Sequence, residues 1–314
     1  MKNSDFIQMS QCRIFSIKFP TADVKGVLEK AEMKPADHAT TVELVKNPMT
    51  GEKVQVLENG LFFTLRTTFK HVTRELLSAK VYELKQKYGK HPSYAVMNEK
   101  EWRVHAELEL YEVVPHSSEL VNVFYSPEKE LLFTNNHSKH ARLALHHLIR
   151  VFGLAGFRSV VVDDDEKLGL NTRLTELLDK GKPMFKFLNF QFETTLKKLE
   201  DNDENFLTCR HLAYEVGQKK ALNALNNGFR VQSARMSYTE EGFAVYFKLD
   251  SNLKIRSMRF AEYADVSRQL NRPDFAGKSA AFVEYLDRQL NALLKIANDT
   301  VLEFVDETKL EGFV

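Results

Sequence analysis

The sequence predicts an α+β protein, with mixed and antiparallel sheets and long helices, on three observations. Strand-like and helix-like segments arrive in clusters rather than in strict alternation, which disfavours a doubly wound parallel sheet. Residues 229–260 read as a three-strand meander, Phe229 to Met236, Phe243 to Leu249 and Leu253 to Phe260, with turns at Glu241-Gly242 and Asp250-Ser251-Asn252. Behind it comes the clearest helix of the chain, where Phe282, Leu286, Leu290, Leu293 and Ala297 repeat at three- and four-residue steps and require a surface to cover them.

The other elements follow from local signals. Alternation from Arg13 to Phe19 predicts a first strand, stopped by Pro20 ahead of a short helix around Asp23 to Met33. Strands are expected at Thr41 to Val45, Lys53 to Leu57 and Leu61 to Thr67, joined by turns at Asn47-Pro48 and Asn59-Gly60. Thr73 to Tyr88 and Met97 to Val113 read as helices, the first closed by Gly89 and the second stopping before Pro115. A hairpin of Leu120 to Tyr125 and Leu131 to Thr134 follows, then a helix from Ser138 to Phe152 ended by Gly153 and a short strand at Ser159 to Val162. A helix is expected at Leu170 to Asp179, and strands at Phe185 to Phe192 and Phe206 to Leu212. These divide into an N-terminal α+β unit (1–70), a central helical and hairpin region with basic helices (71–180), and a C-terminal meander plus long helix (181–314).

Composition bounds the chemistry. With 314 residues, 43% apolar and 28% charged, the chain is long enough to bury substantial cores without disulfides. Cys12 and Cys209 are too few for a disulfide framework and share no metal-ligand spacing, which fits a reducing, cytoplasmic compartment. The polar start, Met1 to Ser10, and the lack of an apolar run of about 18 residues predict neither export nor a membrane partner.

Net charge is only +1, but the charge is segregated. From Leu131 to Val162 there is no acidic residue, and Lys139, Arg142, His146 and Arg150 follow helical steps of three, four and four, opposite Ala141, Leu145, Leu148 and Phe152. Arg74, Lys80, Lys85 and Lys87 form a second basic run, and Arg210, Lys219, Lys220 and Arg230 a third. A surface gathering these three runs would suit a polyphosphate backbone. Charged helix faces are also commonly no more than solvated, so an interaction scaffold with solubilising faces stands beside that reading.

Enzymatic signatures are weak. Gly277-Lys278-Ser279 resembles the end of a P-loop, but the motif's first glycine would fall at Arg272, and a helix start fits better. The histidines between His137 and His147 have no local cysteine or carboxylate to complete a zinc site. Asp163, Asp164, Asp165 and Glu166 could in principle hold Mg²⁺, which keeps a metal-dependent nucleic-acid-processing enzyme as the alternative function. No catalytic residue, cofactor or resident metal is expected on the main reading.

Arg272-Pro273-Asp274-Phe275-Ala276 leads into Phe282, Leu290, Leu293 and Leu294, and resembles the closing segment of the recombination-associated RdgC family. The strand Leu253 to Phe260 is similar to that family's Gly-Ser-Leu-Lys-Arg-Leu-Lys-Phe strand, and Asn59-Gly60-Leu61 and the helix through Leu76, Lys80 and Leu84 extend the likeness toward Arg13. The resemblance implies a ring-forming homodimer of RdgC type that encircles double-stranded DNA without sequence preference. It further implies single-stranded DNA as a possible second ligand, restraint of a RecA-type recombinase, and a cytoplasmic, nucleoid-associated location. The three basic runs are then the expected inner wall. The segment after Pro115, with Ser117, Ser118 and Leu120, is shorter than the family's ring-closing contact.

Overall fold

A computed structural model describes residues 9–31, 40–92, 94, 96–135, 138–155, 158–161, 169–200, 203–272, 277–300 and 309–312. The N-terminal half contains β1 (Arg13–Ser16), α1 (Val24–Lys30), β2 (Thr40–Val45), β3 (Val54–Leu57), β4 (Gly60–Lys70), α2 (Arg74–Tyr88) and α3 (Glu99–Val113). It continues with β5 (His116–Ser126), β6 (Leu131–Thr134), α4 (Lys139–Val151) and β7 (Arg158–Val161). The C-terminal half contains α5 (Leu170–Lys180), β8 (Asn189–Glu200), β9 (Asp203–Cys209), α6 (Glu215–Asn226), β10 (Arg230–Glu240), β11 (Phe243–Asp250) and β12 (Ile255–Phe260). It closes with α7 (Tyr263–Leu270), α8 (Lys278–Thr300) and β13 (Lys309–Gly312).

The strands form two sheets, antiparallel throughout. In the first, β4 is the spine: β5 pairs along one edge, while β2 and β3 lie end to end along the other, and β6, β1, β7 and β13 extend the sheet beyond β5. Segments 1–70 and 71–180 both contribute strands, so this sheet crosses the boundary between them. The second sheet has the order β12-β11-β10-β8-β9, and its β10-β11-β12 run is the expected meander. A backbone bridge between Cys12 and Ile255 ties the sheets together.

The middle of β4, the end of β5 and all of β6 are buried on both faces, which explains near-continuous apolar runs such as Leu61-Phe62-Phe63 and Leu131-Leu132-Phe133, whereas β2 alternates buried and exposed residues. Phe15, Phe63, Leu65, Val123 and Leu132 face α1 and α4 in one core. Ile14, Phe62, Phe124, Leu131 and Phe133 face the second core, shared with α8, α5, α6 and the inner side of the second sheet. Helix α8 is the common wall of that core, burying Phe282, Leu286, Leu290, Leu293 and Ile296, each worth about 1.5–3 kcal/mol of transfer free energy. Its Leu290 also fixes the β3–β4 turn: a side chain on Gly60 would meet Tyr125 O at 2.1 Å and Leu290 Cδ2 at 3.0 Å. Asp287 and Asn291 of α8 accept from Glu58 N and Asn59 Nδ2 at the same turn.

Helices α2 and α3 form an arm inserted between Lys70 and His116, the last residue pair of the β4–β5 ladder. The arm has its own small core of Val81, Leu84, Trp102 and Ala106, with Tyr94 stacked on Trp102. It starts from a Thr73 cap, and α3 from a reciprocal capping box of Asn98 and Glu101.

Several sequence expectations shift. The strand expected at Phe185 to Phe192 begins only at Asn189 and runs on to Glu200, because Phe187 N and Leu188 N are drawn away to Asp299 Oδ2 of α8. The strand expected to reach Leu212 ends at Cys209, and α6 and α7 are helices that the sequence reading omits. Gly277-Lys278-Ser279 is the start of α8, as expected. The acidic run 163–166 and the motif residues 273–276 lie outside the described residues.

Candidate nucleic-acid interface

Helix α4 presents its two stripes as its spacing requires. Ser138 caps it by accepting from Ala141 N, and Ala141, Ala144, Leu145, Leu148 and Ile149 are buried against the first sheet. The opposite side leaves Lys139, Arg142 and Arg150 exposed and His146 half-buried. None of the three exposed cations has a carboxylate in ion-pair reach among the described residues. The nearby acid, Glu119 of β5, is engaged elsewhere: it accepts from Ser138 Oγ at 2.7 Å and lies 3.4 Å from His140 Nδ1.

Arg13 joins this stripe, although the sequence reading assigned it only to a strand. It occupies the same face of β1 as Phe15, beneath α4, and burial first and the charge of Arg142 second lower its pKa from the ordinary guanidinium value. His146 is likewise held below the usual imidazole range, by burial and then by Arg150. Alternation in β1 could have revealed the side Arg13 takes; its closeness to Arg142 depends on packing.

The α2 run is different once α3 packs beside it. Lys80 lies 2.9 Å from Glu83 and 3.1 Å from Glu109, Lys85 pairs with Glu99, and Lys87 sits over the Tyr88 ring. Only Arg74 and Lys87 of that run lack a carboxylate partner among the described residues. Glu99 and Glu109 belong to α3, outside the run itself, and reach these lysines only because the two helices pack together.

The third run divides between two places. Arg210 and Lys220 line a cleft of about 410 Å³ with Thr208, Cys209 and Gly217, while Lys219 is paired to Glu215 at 2.5 Å. Gly217 is required there, since a side chain would meet His211 O at 2.6 Å. Burial raises the Cys209 thiol pKa and the charge of Lys220 opposes that shift. Arg210 reaches Glu193 only at 4.0 Å. Arg230 lines a separate cleft of about 440 Å³ with Lys197, Gln232, Asp250 and Asn252.

The structure thus brings Lys139, Arg142, His146 and Arg150 together, commits Lys80, Lys85 and Lys219 to carboxylates, and sets Arg230 on the second sheet. Among the described residues no group of three His, Cys, Asp or Glu side chains is placed to hold a metal ion, and no helix is long and apolar enough to cross a membrane. Both cysteines are free and buried. No protein-family model matches the chain, and no curated protein matches it.

Proposed function

We propose that this protein binds duplex DNA through its phosphates without sequence preference, and acts as a binding protein rather than an enzyme. The observation that carries the reading is the exposed row of Lys139, Arg142 and Arg150 on α4, with Arg13 behind it and no carboxylate partners for the exposed three among the described residues. Cations held near one another without counter-charges gain when a polyanion arrives and releases its condensed ions. The resemblance to the RdgC family extends the proposal: a ring-shaped homodimer around the duplex, associated with the nucleoid and limiting the access of a RecA-type recombinase.

The test is a salt titration of binding to two duplexes of unrelated sequence, with parent protein and with Arg142→Glu/Arg150→Glu. The reading expects equal affinities for the two duplexes, a log-log slope near −0.9 per phosphate contacted, and strong weakening in the double variant. Absent binding, or binding that salt and the two reversals leave untouched, overturns it. Light scattering with and without a short duplex tests the dimer, because a monomer cannot close around DNA.

A further inference from the structure

We propose that the outer face of the second sheet is a platform for a single-stranded polynucleotide. The inference rests on the nucleic-acid reading above and concerns a different surface. On antiparallel strands, directly opposed residues point to the same face. Leu196, Val231, Met236, Phe247, Leu249 and Met258 fill the core, so their sequence neighbours point away from it.

Three cross-strand rows then lie on the outside. Phe206, Lys197 and Arg230 face one another across β9, β8 and β10. Arg235, Lys248 and Arg256 do so across β10, β11 and β12, and in the next row Tyr246 faces Arg259, beside a buried Ser237 on β10. Like charges directly opposite one another are destabilising, so the row of Arg235, Lys248 and Arg256 calls for counter-charges, and the face supplies them only in part. Glu204 pairs with Lys197 at 2.5 Å, Glu193 with Arg235 at 3.0 Å and Asp250 with Arg256 at 2.7 Å. Arg230, Lys248 and Arg259 have no carboxylate partner among the described residues.

Rings stand among these cations. Phe206 is 53% exposed and Tyr246 44%, unusual for aromatic side chains on an otherwise polar sheet face. Each has a cation directly opposite, Lys197 at 5.8 Å from the Phe206 centroid and Arg259 in register with Tyr246. That pairing serves a nucleotide, whose base stacks on the ring while its phosphate meets the cation. A duplex keeps its base faces covered by their neighbours, so rings on a sheet reach them only in an unpaired strand. A second copy of this face is a poor occupant, because it would set cations against cations.

The experiment measures anisotropy of labelled dT20, labelled rU20 and a labelled 20-base-pair duplex at one fixed salt concentration. Phe206→Ala/Tyr246→Ala is expected to weaken both single-strand probes about tenfold or more, with duplex affinity unchanged. Tyr246→Phe keeps the ring and should bind as the parent does. Both positions are exposed, and matching thermal melts of the variants show that the fold is intact. Binding of either sugar type supports the platform, and their ratio assigns DNA or RNA. A double variant that holds the single strands as tightly as the parent overturns it. Parent protein that binds duplex but neither single strand overturns the platform alone, whereas binding to single strands without binding to duplex overturns the duplex reading alone.

Discussion

Arg13 on β1 and Arg142 on α4 are neighbouring like charges, one partly buried beneath the helix and the other exposed on it. Native proteins seldom keep such a pair without a counter-ion unless something else uses it. Arg142→Gln should therefore raise stability slightly, by about 0.5 kcal/mol after allowing for solvent screening, while weakening duplex binding. Urea unfolding and anisotropy on the same preparation check both signs. A variant that loses stability and keeps its affinity contradicts the assignment.

Paired and unpaired lysines and arginines should differ in the salt dependence of binding. Arg150→Gln removes a cation with no carboxylate partner among the described residues and should lower the log-log slope by about one. Lys85→Gln removes one already held by Glu99 and should leave the slope unchanged. Equal effects from the two substitutions would falsify the selection of α4 over α2.

His146 supplies a pH signature. Its folded-state pKa is lowered, by burial first and Arg150 second, so the unfolded chain takes up that proton more readily. Stability is unaffected while both states are neutral, above the ordinary imidazole value near 6.5, and falls as pH drops below it. A phosphate beside the ring favours the charged form, so duplex affinity should rise over the same interval. His146→Gln should flatten its share of both profiles, measured by thermal melts and anisotropy between pH 5 and 8.

Asp299, buried near the end of α8, accepts from Phe187 N at 2.6 Å and Leu188 N at 2.9 Å. Asp299→Ala strands two backbone donors, the Leu188 one buried and the Phe187 one partly so, costing about 1–3 kcal/mol. Chemical denaturation gives the magnitude. Hydrogen exchange at Phe187 and Leu188 should accelerate more than at Phe247, in the middle of β11.

These contacts show why the sequence was legible in parts. The meander and α4 declared themselves because one side of each is apolar and the other polar, as at Val245, Phe247 and Leu249 around Tyr246 and Lys248. Helix α6 escaped notice because Gly217 weakens its first turn and its core side is made of small residues, Ala221 and Ala224. Strand β8 was expected only as far as Phe192, because Glu193, Lys197 and Lys198 mask the alternation of the rest of its twelve residues. The row of Arg235, Lys248 and Arg256 is set by ladder register among three strands, and register between distant segments leaves no local mark.

Trp102 is the sole tryptophan of the chain, and it sits in the small core of the α2–α3 arm. Its ultraviolet emission is therefore a private channel from that arm. Both sheets hold only tyrosine and phenylalanine, so a denaturation followed at tryptophan wavelengths records the arm coming apart, whereas calorimetry records the body. Where the two curves separate, the interval between them measures how independently the arm melts.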